Sequence, residues 1–241
     1  MSVKFHKNYK RISLVFSDSL KYAVEDFFFL LNRGYNRSSS LDLVTARYRL
    51  SRLERLLLYR AVFSRTVSLD RRRKTLSSKK IINEKILVDG FNVLSTIQSA
   101  LLGDVLVRGT DNIIRDMSAY VRKIKVSNFL IMSLFISLFF ISRFFPKYVI
   151  YVFDSQVSRS LLMLRILSCF SKKASFRVSG KLAKNADKYI VIHADEFIVA
   201  SSDSVIVDRV NRVFDMGGEI AEIISIETII DLSDLLDGLR V

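Results

Sequence analysis

An α/β sandwich with a parallel central sheet, preceded by a small basic all-α module, is the fold class that this sequence predicts. Three observations carry it. From Lys85 onward, short β-branched runs alternate with stretches of helical spacing, the pattern of parallel strands joined by crossover helices. Before about residue 80, apolar residues recur at three- and four-residue intervals. The charge divides at the same place: residues 1–80 hold 19 Lys and Arg against 6 Asp and Glu, whereas residues 81–241 hold 19 against 18. The expected division is therefore 1–80 and 81–241.

In the first part, Ser17-Asp18-Ser19 leads into a helix through Leu20, Val24, Phe27, Phe28, Leu30 and Leu31, closed by Gly34. A second helix is expected over Leu41 to Tyr48. A third starts at Ser51, where Ser51-Arg52-Leu53-Glu54 has capping-box spacing, and runs to Phe63. Two short helices across a tight turn make a helix-turn-helix reading available. The cluster Arg71-Arg72-Arg73-Lys74 lacks helical hydrophobic spacing, and Asp70 to Glu84 is expected to be a linker.

In the second part, Lys85 to Val88 is expected as a buried strand, Asn92 to Leu102 as a helix, and Thr110 to Lys125 as another helix after a hairpin-like interval. Strands follow at Tyr148 to Phe153, Lys188 to Ile192 and Phe197 to Ala200, with helices at Ser158 to Phe170 and Asp203 to Val210. The run Phe129 to Ile141 is apolar throughout, but its 13 residues fall short of the roughly 20 that a membrane span requires. It is expected as a helix packed under the sheet. The basic start of the chain, Lys4, Lys7, Lys10 and Arg11 beside a short apolar patch, does not have the form of a secretory signal.

Composition narrows the chemistry. Half of the 241 residues are hydrophobic and only one is Pro, which argues for a packed core and against disorder. A lone Cys169 has no disulfide partner, and with only His6 and His193 there is no Cys/His set for structural zinc. A reducing, cytoplasmic setting follows as the expectation. No phosphate-cradling G-x-x-x-x-G-K-[ST] loop or dinucleotide fingerprint occurs, which disfavours kinases and dehydrogenases. Carboxylates remain for catalysis.

Three of them sit where an α/β fold places its ligands, beyond the carboxyl ends of strands: Asp89, Asp154 and Asp203. Parallel strands bring these ends to one edge. Converging carboxylates repel unless a cation neutralises them, and an all-oxygen set suits Mg²⁺ or Mn²⁺. Such a site can hydrolyse a phosphodiester. Asp208 is an outer candidate for the metal. Around the three, Asn92, Asp116, Ser158, Ser202 and Ser204 are candidates to orient carboxylates or phosphate, as are Asp111 and Arg159; capping explains several of them equally well. His193 is read as structural. Arg47, Arg49, Arg52, Arg55, Arg71, Arg72, Arg73 and Lys74 are the candidates for electrostatic binding of nucleic acid, since a concentrated positive field attracts polyanions.

The segment Val88-Asp89-Gly90-Phe91-Asn92-Val93-Leu94 resembles the opening strand of PIN-like and NYN-like nuclease domains, a hydrophobic strand ending in Asp-Gly-x-Asn. Four blocks together resemble a prokaryotic, largely archaeal family, domain-of-unknown-function family 434, with a PIN-like C-terminal half. They are FLLNRGYNRSSSLDLVTARYRLSRLERLLLYRAVFS (Phe29 to Ser64), ILVDGFNVLSTIQSALLG (Ile86 to Gly103), VFDSQVSRS (Val152 to Ser160) and VASSDSVIVDR (Val199 to Arg209). The resemblance implies a Rossmann-like PIN fold, a three-layer sandwich. By analogy it also implies a metal-dependent nuclease site at Asp89, Asp154 and Asp203, with Asp208 and Asp116 as lesser candidates. Phe129 to Ile141 departs from the pattern by being more uniformly apolar than a surface helix of that fold, which raises burial against a second copy as an alternative.

The expected function is thus a nuclease, with RNA favoured over DNA because folded and single-stranded RNA presents splayed backbone. The alternative is a nucleic-acid-binding or ribosome-associated factor that does not cut. A peripheral membrane protein is the third class, suggested by the basic arm and the apolar run.

Overall fold

A computed structural model describes residues 14–118 and 125–233. The basic start of the chain, including His6, and part of the helix expected over Thr110 to Lys125 lie outside the described residues.

Four helices open the described chain: α1 (Asp18–Asn32), α2 (Arg37–Arg47), α3 (Arg52–Ala61) and α4 (Arg65–Lys74). In α1, the Ser17 hydroxyl accepts from the Leu20 amide, and Leu20, Ala23, Val24, Phe27 and Phe28 form the buried stripe that three- and four-residue spacing produces. Asn36 caps α2, so that helix starts four residues before the expected Leu41. The capping box of α3 is formed in full by Ser51 and Glu54.

The expected linker is corrected in two places. Asp70 to Lys74 is the last half of α4, and Ser78–Ile81 is a 3-10 turn. Helical periodicity does not show α4 because the side chains it buries are Ser68 and Arg71 rather than an apolar stripe.

A five-stranded parallel sheet follows, built from β1 (Lys85–Asp89), β4 (Tyr148–Asp154), β5 (Val178–Ala183), β6 (Ile198–Ala200) and β7 (Val213–Phe214) in the order β5-β4-β1-β6-β7. Helices cover both faces, giving the three-layer arrangement. On one face, Ile86, Val88, Val149, Tyr151, Phe153 and Ile198 pack against α5 (Gly90–Leu102), α6 (Asn128–Ser142), α7 (Ser160–Ser171) and α10 (Met216–Ser225). On the other, Leu87, Val152 and Val199 pack against α8 (Ala186–His193) and α9 (Ser204–Arg209). The apolar run lies under the sheet in α6, burying Leu130, Leu134, Leu138 and Ile141 while Phe135 and Phe139 stay exposed. No described helix is long and apolar enough to cross a membrane.

Two further corrections concern element type. Lys188 to Ile192 is not a strand but the body of α8, capped by the Asn185 side chain on the Lys188 amide and packed through Ile190. The start of the expected Thr110 helix is instead a turn into β3 (Ile114–Asp116), antiparallel to β2 (Leu106–Arg108); β8 (Ile229–Asp231) completes this second, three-stranded sheet. The second sheet joins the two parts of the chain. Val105 and Val107 share one apolar cluster with the buried residues of α1, α2 and α3, so the division near residue 80 does not divide the packing.

Candidate functional site

Strand order reverses direction at β1: successive crossovers run from β1 through β4 to β5 on one side, then return to β6 and β7 on the other. The crevice beyond the carboxyl ends of such strands is the usual ligand position in open α/β sheets. Here it holds a cleft of about 870 Å³, within the range of ligand sites. Its floor is the sheet edge and its opposite wall is made by the N-terminal helices.

On the floor, Asp89 ends β1 and is 7% exposed, with Oδ2 accepting from Ser201 Oγ at 2.8 Å. Burial pushes its carboxyl up to about 7; the Ser201 bond opposes this, and Asp203 and Asp187 add repulsion. Asp203 caps α9 by accepting from the Val205 amide at 2.7 Å, and its own amide donates to Ser201 Oγ. Asp154 ends β4 and accepts from the Gln156 amide. Asp187, in the first turn of α8, is raised by burial and then by Asp203 and Asp154. All four line the cleft.

The β1 and β6 ends are stitched together by Asn92, whose Oδ1 accepts from the Ser202 amide at 2.9 Å and the Ser202 hydroxyl at 3.0 Å. Asn92, Ser202 and Ser204 all line the cleft. So does Asp116, at the end of β3, which accepts from Ser95 Oγ and lies 3.9 Å from the Arg60 guanidinium. Ser158 and Arg159 are exposed in the turn before α7 and do not line the cleft. His193 is exposed, stacked on Tyr189 and bonded to its carbonyl.

Asp208 lines the cleft but is engaged: both its oxygens accept from Arg71, at 2.7 and 2.8 Å. Arg71 also donates to Asp111, which receives two bonds from Arg115 as well. Burial alone would raise the Asp111 carboxyl, but the Arg115 and Arg71 guanidiniums overcome it and hold Asp111 below the usual range.

Arg71 is 2% exposed, which removes it from the solvent-facing basic surface that the sequence suggests. Arg72 bonds the Thr110 and Ser233 carbonyls, Lys74 pairs with Asp70, Arg55 with Asp42 and Arg47 with Asp26. Arg49, Arg52 and Arg73 are exposed. Except for Arg71, none of these lines the cleft; its arginines are Arg37, Arg60, Arg71 and Arg115.

The donor set fits a hard divalent cation in kind, since every cleft carboxylate offers oxygen and their mutual repulsion favours a positive charge. Among the described residues, no three His, Cys, Asp or Glu side chains are gathered into a metal cage.

The sequence does not mark Asp187, Ser201 or Arg37. Asp187 lies in a segment read as the approach to a strand, and the available signal is Asn185 two residues earlier, a cap with an acid in the first turn. Ser201 and Arg37 fall inside two of the resembling blocks, Val199 to Arg209 and Phe29 to Ser64, but nothing in the residue pattern sets them apart from their neighbours there.

Comparison with known proteins adds relatives. Residues 78–219 match a family described as Domain of unknown function (DUF5616), and residues 19–74 match one described as Protein of unknown function (DUF434). The first resembling block falls in the second of these matches and the other three in the first. The chain is 32% identical over 171 residues to the Uncharacterized protein MJ0935 of Methanocaldococcus jannaschii, across 70% of this chain and 81% of that protein. No solved structure matches.

Proposed function

The chain belongs to the family described as Domain of unknown function (DUF5616), and from that premise we propose that its cleft is the active site of a metal-dependent nuclease on a PIN-like fold. The family description assigns no reaction, so the reading rests on one observation. Four aspartates at the switch point of a parallel sheet face a wall that carries arginines. This arrangement suits a phosphodiester backbone: the carboxylates would hold a divalent cation that takes one phosphate, and the arginines offer cationic partners to others.

The chain's own residues divide the work. Ser201 orients the Asp89 carboxylate by donating to it and steadies the Asp203 backbone by accepting from its amide, while the Val205 amide holds the Asp203 carboxylate. Asn92 fixes the distance between the β1 and β6 ends. The helical wall supplies positive charge through Arg37, Arg60 and Arg71. Mg²⁺ or Mn²⁺, when bound, would supply neutralisation of the phosphate and a lowered pKa for water. RNA is the favoured substrate, and the free Cys169 thiol fits a reducing cytoplasm.

A second reading has its own support. Asp89, Asp154 and Asp203 each accept a bond that an α/β fold can use for structure alone: to Ser201, to a turn amide and to a helix cap. On that basis the protein holds nucleic acid without cutting it.

Cleavage of a labelled pool of RNA and single-stranded DNA with Mn²⁺, Mg²⁺ or EDTA separates the two. The nuclease reading expects metal-dependent cutting by the wild type and at least a ~100-fold loss in Asp89→Asn with binding retained. Binding without cutting under every metal would select the second reading.

A further inference from the structure

Three guanidiniums surround the Phe63 ring: Arg71 at 4.0 Å from its centroid, Arg37 at 4.7 Å and Arg115 at 5.1 Å. Two carboxylates neutralise this cluster. Asp111 is shared by Arg115 and Arg71, and among the described residues the Asp208 carboxylate pairs with Arg71 alone. Arg37 is left over. Among the described residues it forms no ion pair, and its one hydrogen bond is from Nη2 to the Tyr59 carbonyl at 2.6 Å.

Its position is nevertheless fixed. The Phe27 and Tyr59 rings add to Phe63 to cage the guanidinium, at 5.4 and 5.6 Å. A guanidinium carries five N–H donors in a rigid fork, so most of them remain for a ligand. Arg37 lines the cleft on the helical wall, opposite the aspartates, and no aspartate of the floor pairs with it among the described residues. Burial first, then Arg71 and Arg115, lower its pKa to about 10, which leaves it charged at neutral pH.

A half-buried cation beside two others, held in place but lacking a carboxylate, is a site for an anion that comes from outside the chain. We infer that Arg37 binds a phosphate of the ligand at the helical wall, so that the cleft takes a phosphodiester chain with one phosphate at the aspartates and another at Arg37. This rests on the proposed nucleic-acid reading for the identity of the ligand but not on cutting. The N-terminal helices thereby supply a second contact for the chain.

The test measures binding without metal. A 5′-fluorescein-labelled ten-nucleotide oligouridylate is titrated in EDTA at low salt with the full chain, Arg37→Gln, Arg37→Lys and Arg165→Gln. Arg165 is exposed on α7, outside the cleft, and serves as a control for the loss of one positive charge. The expected result is at least a ~10-fold weaker Kd for Arg37→Gln against less than about twofold for Arg165→Gln, with Arg37→Lys between them because it keeps charge and loses the fork. Equal, small losses in Arg37→Gln and Arg165→Gln would overturn the assignment. Melting curves accompany each variant, and if Arg37→Gln does not fold, Arg37→Lys is set against Arg165→Lys: a loss at least about threefold greater at Arg37 is expected, and equal losses would overturn the assignment. The outcome is separable from the nuclease test. Arg37-dependent binding by a protein that never cuts would keep this inference and end the nuclease reading, whereas Asp89-dependent cutting with unchanged KM in Arg37→Gln would do the reverse.

Discussion

Asp215 caps α10 from a buried position, with its two oxygens accepting from the Ile114 amide at 2.7 Å and the Gly218 amide at 2.9 Å. Burial outweighs both bonds and pushes its carboxyl up to about 6. An unfolded chain ionises Asp near 3.9. The folded state therefore holds the proton more tightly, so the stability from this group is complete below about pH 4 and falls as the pH rises through about 6. Two pK units correspond to about 3 kcal/mol. Urea melts at pH 4, 5, 6 and 7 should show the wild type losing up to that much relative to Asp215→Asn, whose side chain does not titrate. A difference that stays constant with pH would refute it. Glu219, pushed up to about 7 by burial and then by Asp215 and Glu222, extends the same downward trend toward neutral pH. The site shows what a residue-by-residue reading can and cannot reach. Asp89, Asp154 and Asp203 are legible because each follows an apolar run. Asp208 and Arg71 are legible as charges but not as partners, because 137 residues separate them.

Between β1 and α5 the chain turns at the cleft without an intervening residue. Gly90 follows Asp89 directly, and a Cβ there would stand 2.7 Å from the Val152 carbonyl and press on the Phe153 ring. Both belong to β4, the neighbouring strand. Gly90→Ala must therefore push β1 and β4 apart at the end that carries Asp89 and Asp154, and we expect a loss of about 1–3 kcal/mol in a thermal melt. An unchanged Tm would show that the crossing relaxes freely. Elements of this kind differ in how far the sequence reveals them. β1 and β4 stand out because apolar residues run together in each. Lys188 to Ile192 misleads because five residues rich in β-branched types suit a strand or a buried helical turn equally, and only the Asn185 cap and the packing of Ile190 decide for α8. β2 and β3 are three residues each, too short for periodicity to register.

Across the whole molecule, charge and packing draw the boundary in different places. The excess of Lys and Arg ends near residue 80, yet the helices that carry it do not close their own core. Phe27, Leu57 and Leu58 share a cluster with Val105, Val107, Met117 and Leu232 from beyond that point. Polar seams repeat the connection. The Thr110 amide donates to the Ala61 carbonyl and the Phe63 amide to Thr110 Oγ1, and Arg71 joins α4 to α9 through Asp208. A fragment of residues 78–241 would therefore bare the apolar side of β2 and leave Asp208 without its cation, while losing one wall of the cleft. We expect that fragment to bind a hydrophobic dye, to self-associate on gel filtration and to melt without a cooperative transition, whereas the full chain unfolds in one step. A monomeric fragment with a sharp melt would mean that the α/β part folds alone. In that case the helical wall is an attachment to the cleft rather than a structural half of it, and the aspartates should retain any metal affinity they have without Arg37 opposite them.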